Sequence, residues 1–155
     1  MAPARRSIVV GASLEHVWEV IEDPHHLPRW WPGVTRIEDV REDRWTQVLT
    51  TRKGRTVRVD FRLLESEPPG SRVDGLARRR WEQEIAGTPF ERVLNESITE
   101  LRLEPTHAQG RARVTIEQRQ KLRGYSRTGG LIARRASGGK LDQALAGLAR
   151  ICDRD

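Results

Sequence analysis

The chain has 155 residues, of which 36% are hydrophobic and 32% charged, with a formal net charge of +6. That length suits a single domain, 1–155, with a real core, and the composition excludes a disordered chain. No apolar run approaches the ~20 residues of a membrane-spanning helix, and the single Cys152 excludes an internal disulfide and fits a reducing cytoplasm.

The first stretch, "RSIVVG" from Arg6, is β-branched and predicts a strand. "SLEHVWEVIED" follows directly, with Ser13 placed to cap a helix that carries Leu14, Val17 and Ile21 at helical spacing. Pro24 ends that helix, and Pro28 and Pro32 keep the next segment, "DPHHLPRWWPG", short. The period then becomes two. "VTRIEDV" from Val34, "RWTQVLTT" from Arg44 and "RTVRVDFRLLE" from Arg55 predict three strands, the last with Val57, Val59, Phe61 and Leu63 on one face. "RRWEQEI" (79–85), "ERVLNESITELRLE" (91–104) and "RARVTIEQRQKL" (111–122) predict three more. The connections are hairpin-sized, so the sheet is expected to be an antiparallel meander. The chain closes with Leu141, Leu145, Leu148 and Cys152 on one helical stripe. This order predicts an α+β fold: a seven-stranded curved antiparallel sheet gripping a long C-terminal helix, with two short helical segments after the first strand.

Strand parity predicts which side chains face the helix. Leu101 and Leu103 fix the inward face of their strand, which extends back to Thr99, Ser97, Asn95 and Val93. Val114 and Ile116 fix the next, carrying Gln118, Gln120 and Leu122 inward, and Trp81, Gln83 and Ile85 oppose Arg80, Glu82 and Glu84. An interior with Trp81, Gln83, Asn95, Ser97, Thr99, Gln118 and Gln120 is more polar than a plain core needs. Its amides and hydroxyls must bond to each other, to water or to a ligand. A bulge would swap these faces and turn Leu94, Glu96 and Ile98 inward instead.

The element order, and the stretch "SIVVGASLEHVWEVIEDPHHLPRWWPGV" with "FERVLNESITELRLEP" and "GRARVTIEQRQKL", resembles the START-like (SRPBCC, helix-grip) superfamily, and within it the polyketide cyclase/dehydratase-type members. The resemblance implies seven strands, three helices and a cavity between the sheet and the last helix. It names no reaction, because the superfamily holds cyclases, carriers and co-chaperones alike. In the resembled fold "DPHHLPRWWPG" lies beside one end of the cavity. Trp30 and Trp31 are therefore candidates for an aromatic gate, with His25 and His26 solvated beside it; a plain core role for the tryptophans is the alternative. Gly138 falls on the core stripe of the last helix, where a missing side chain leaves room over the sheet or a kink. The expected ligand site is Trp30, Trp31, Trp81, Gln83, Asn95, Ser97, Thr99, Gln118, Gln120 and Gly138.

Other chemistry is weakly signalled. Four histidines with no Glu or Cys at ligand spacing argue against a metal. "SGGK" at Ser137 lacks the upstream glycine of a phosphate loop. The basic runs "RRRW" and "IARRASGGK" are not tails and interleave no aromatic groove, which argues against a nucleic acid partner. No catalytic constellation is evident; a cyclase would rely on cavity shape and on groups such as Tyr125, an arginine or ordered water. Three readings stay open. The first is a cytoplasmic monomer or homodimer that binds a small apolar or aromatic molecule without a cofactor. The others are a polyketide cyclase/aromatase/dehydratase using the same cavity, and a co-chaperone or ribosome-associated module.

Overall fold

The computed structural model describes residues 3–124 and 127–154, with side chains of the final helix described from 137 to 153. Strand β1 (Ala4–Val10) leads into α1 (Leu14–Ile21), a 3-10 turn (Pro24–His26) and α2 (Leu27–Trp30). Then come β2 (Val34–Glu38), β3 (Arg44–Thr50), β4 (Thr56–Glu67), β5 (Ala77–Gln83), a 3-10 turn (Pro89–Arg92), β6 (Leu94–Pro105), β7 (Ala112–Leu122) and α3 (Arg127–Arg154). One antiparallel sheet runs β1-β7-β6-β5-β4-β3-β2, so only β1 leaves the sequential order of the meander to pair with β7. The expected α+β architecture is the observed one.

Local chemistry sets the boundaries. The Ser13 hydroxyl accepts the His16 N–H at 3.1 Å and caps α1. Pro24 then begins the 3-10 turn, capped by the Asp23 carboxylate on the His25 N–H at 3.0 Å. Gly33, at φ +83°, turns the chain from α2 into β2 in a conformation that side chains disfavour. The expected strand over 91–104 begins later, at Leu94, because Thr88 caps a 3-10 turn that consumes Pro89–Arg92.

The stripe Leu141, Leu145, Leu148 and Cys152 is buried against the sheet and the α1–α2 segment, with Ala144 and Ile151 beside it. Each buried leucine is worth roughly 1.5–3 kcal/mol relative to exposure. Three bulges bend the sheet around α3: at Thr35 in β2, Leu64 in β4 and Asn95 in β6.

The basic run at Arg78 divides between two faces. Arg78 and Arg80 point outward and are held in ion pairs with Glu65, Glu67 and Glu100. Arg79 shares the inward parity of Trp81 and is buried. Its Nη1 donates to Ser66 Oγ at 3.1 Å, and its guanidinium lies 5.8 Å from the centroid of the Trp45 ring. Burial pushes its pKa down against the opposing pull of Glu22 and Asp23. A desolvated cation with one hydroxyl partner among the described residues contributes little net stability. Arg79→Met is therefore expected to leave the urea midpoint unchanged or raise it by up to about 2 kcal/mol in unfolding free energy, at constant m-value. A drop of that size would show instead that the Arg79 interactions outweigh its desolvation.

Candidate functional site

The curved sheet, the 3-10 turn before β6 and α3 leave a pocket of about 410 Å³ between them. Two kinds of surface line it. Trp31, Phe61, Trp81 and Phe90 give flat aromatic walls, with Leu49, Val59, Leu94 and Leu122 between them. Gln47, Gln83, Ser97, Thr99, Gln118, Gln120 and Ser137 give a polar wall, and Lys140 stands on its α3 side. Val93, 55% exposed, and Lys140 lie on the solvent-facing rim.

Sheet register builds the polar wall. Gln118 pairs across from Thr99, and its Nε2 donates to Thr99 Oγ1 at 3.3 Å. Gln120 pairs across from Ser97 and donates to its Oγ at 3.4 Å, while Ser137 from α3 donates to Gln120 Oε1 at 3.4 Å. These are long contacts, so the ladder is weakly held. Gln83 pairs across from Phe61, and Gln47 across from Val59. Among the described residues neither of these two amides makes a side-chain hydrogen bond, although Gln47 is buried.

The aromatic walls belong to a continuous set of rings. Trp31 meets Trp81 edge-on at 6.1 Å between centroids, Trp81 meets Trp45 at 5.8 Å, and Trp45 stacks on Phe61 at 6.0 Å. Such contacts add to the rigidity that area burial alone supplies.

Seven of the ten expected site residues line this pocket: Trp31, Trp81, Gln83, Ser97, Thr99, Gln118 and Gln120. Three do not. Asn95 is exposed, because Leu94 pairs with Leu122 and Glu96 with Lys121, leaving Asn95 as the extra residue of a bulge. The bulge puts Leu94 inward, but Ser97 and Thr99 keep their inward parity beyond it. Trp30 is 3% exposed and packs in the core under α3, not at the pocket. Gly138 makes room for a protein group: an added Cβ would lie 2.5 Å from Nη2 of Arg6, whose Nε pairs with Asp142 at 3.3 Å.

The histidines differ from each other. His25 is exposed, with its Nδ1 2.9 Å from Asp23 Oδ1. His26 is not solvated as its place in the loop suggests but half-buried, with its Nδ1 2.9 Å from the Val20 carbonyl oxygen. Burial opposes ionisation of Asp23, yet the bonds from His25 outweigh it and its pKa is lowered. Tyr125 lies outside the described residues. Gln47, Phe90, Ser137 and Lys140 are lining residues that the sequence reading missed. The alternation Trp45, Gln47, Leu49 carried the signal for the first of them.

Residues 1–153 match the family model described as "Polyketide cyclase / dehydrase and lipid transport". The chain belongs to this family. No curated protein matches it in sequence. Among solved structures it is similar to BexL, a di-domain aromatase/cyclase from the BE-7585A biosynthetic pathway, at 23% identity and a TM-score of 0.77. That alignment covers 97% of this chain and 46% of BexL, so the chain spans about half the length of that relative. It is also similar to a START superfamily protein from Mycobacterium smegmatis, at 9% identity and a TM-score of 0.75 over 99% of both chains. The Zhui aromatase/cyclase from Streptomyces sp. R1128 matches at 14% identity and a TM-score of 0.68, over 98% of this chain and 93% of that one. At these identities the likenesses show the START-like fold alone. Among the described residues no helix is long and apolar enough to cross a membrane.

Proposed function

We propose that this family member binds a small, flat, apolar or aromatic molecule in the pocket between the sheet and α3. The observation that carries the reading is the pairing of aromatic walls with the amides of Gln47 and Gln83, which have unspent hydrogen-bonding capacity. Both amides line the pocket, where a ligand or water can take up their hydrogen bonds. A pocket of about 410 Å³ also falls in the usual range for small-molecule sites. An interaction module such as a co-chaperone has no need for such unfilled volume.

The test uses N-phenyl-1-naphthylamine, an uncharged flat fluorophore that brightens in apolar surroundings. The wild-type protein is expected to bind it saturably. Ser97→Phe projects a ring into the pocket, which has room to receive it, and is expected to abolish binding while circular dichroism stays unchanged. Undiminished binding by folded Ser97→Phe protein would place the fluorophore elsewhere and sink the reading.

The family description also supports a second reading, a cyclase or dehydrase acting on a molecule held in this pocket. Among the described lining residues Lys140 is the one titratable group, so most of the rate would come from folding the substrate into a reactive shape. Conversion of an open-chain polyketide to a cyclised product, above a protein-free control, separates catalysis from carriage.

A further inference from the structure

Among the described residues, the formal charges lining the pocket are one-sided. The strands that wall it carry Glu82, Glu96, Glu100 and Glu117, but alternation turns these outward, where each is held by an arginine or lysine. The described lining contains amides, hydroxyls, rings and aliphatic groups, one ammonium and no carboxylate. That ammonium, Lys140, lies one turn beyond Ser137 on α3, so both project from the same helix face. Among the described residues no carboxylate pairs with it, in contrast to Arg78, which has three glutamate partners.

A cationic ligand entering this pocket would be desolvated with no counter-charge among the described lining residues and would meet Lys140 at the rim. A neutral ligand would find rings and amide donors. An oxyanion would in addition gain a charge-assisted hydrogen bond. We propose that the pocket selects an anionic amphiphile: a flat apolar body between Trp31, Phe61, Trp81 and Phe90, with a single oxyanionic group held at the rim by Lys140. This specifies the ligand class and rests on the binding reading given above. The carboxylate, sulfonate or phenolate character of the oxyanion is left to the ligand, because an ammonium recognises it as a point charge. Exclusion of cations is the repulsive half of the same selectivity.

The experiment compares two probes with the same aromatic skeleton, 8-anilinonaphthalene-1-sulfonate and uncharged N-phenyl-1-naphthylamine, by fluorescence titration. The wild-type protein is expected to prefer the sulfonate by about fivefold at low ionic strength, the size of a solvent-exposed ion pair, and the preference should shrink with added salt. Lys140→Met should abolish the preference and Lys140→Arg should retain it. Ser97→Phe, which blocks the pocket, should abolish binding of both probes. Equal affinities in the wild type, or a preference that survives Lys140→Met, overturn the charge assignment and leave the binding reading standing. Sulfonate binding undiminished by Ser97→Phe overturns it as well, because the anion then sits outside the pocket. Failure of both probes to bind the wild type removes the binding reading and this proposal together.

Discussion

Trp30→Ala is expected to cost about 3–5 kcal/mol of stability, close to the whole margin of many single domains. Trp31→Ala, one residue along, is expected to cost much less and to weaken probe binding in the pocket instead. The two rings part company because Trp30 is the last residue of α2 while Trp31 is already extended, at ψ 126°. Trp30 therefore turns under α3 and is 3% exposed. Trp31 turns toward Trp81 and remains half-buried on the pocket wall. Their rings still meet edge-on at 5.4 Å, so some loss of order in Trp31 should follow the removal of Trp30. Urea unfolding of both variants, with N-phenyl-1-naphthylamine titration of whichever stays folded, reads the two effects separately. Equal destabilisation by both, with probe affinity untouched in Trp31→Ala, would make the whole "RWWPG" stretch a core plug.

The division between these tryptophans was not legible in the sequence, whereas the architecture around them was. Alternation at period two needs only the identity of each residue, so Leu101, Leu103, Val114 and Ile116 announce a buried face without any structure. The stripe through Leu141, Leu145, Leu148 and Cys152 does the same for the helix that covers it. Parity carried Ser97, Thr99, Gln118 and Gln120 correctly to the pocket because no irregularity lies between them and those anchors. It failed at Asn95, the extra residue of a bulge. A trace of the bulge was present: Leu94 is apolar yet out of phase with Leu101, and a regular strand cannot bury both. The doublet Leu63–Leu64 marks the β4 bulge in the same way. Phe90, Ser137 and Lys140 reach the pocket from a turn and a helix, where no alternation rule applies. Arg79 is buried as its shared parity with Trp81 requires, its charge notwithstanding.

The glycines of α3 provide a further large effect, and they rank opposite to what the stripe alone suggests. An added Cβ at Gly147 would stand 2.6 Å from the carbonyl oxygen of Trp30 and 3.1 Å from its Cα. These are backbone atoms, so no side chain can swing aside and α2 must move off α3. Gly147→Ala is expected to destabilise by about 1–3 kcal/mol despite alanine's better helix propensity, and Gly147→Val by more. At Gly138 the obstructing atoms are the far end of the Arg6 side chain, which can rotate toward solvent at the expense of its exposed pair with Asp142. Such a pair is worth little, so Gly138→Ala should change stability only slightly. At Gly139 nothing lies within 4 Å, and the position is exposed within the helix. Gly139→Ala should stabilise by about 0.5–1 kcal/mol through reduced backbone entropy of the unfolded chain. Three single substitutions of the same chemistry should thus span both signs, and urea midpoints at constant m-value measure them directly. If Gly147→Ala matched Gly139→Ala, the close approach of α2 to α3 would not exist in solution, and the buried position of Trp30 would lose its explanation along with it.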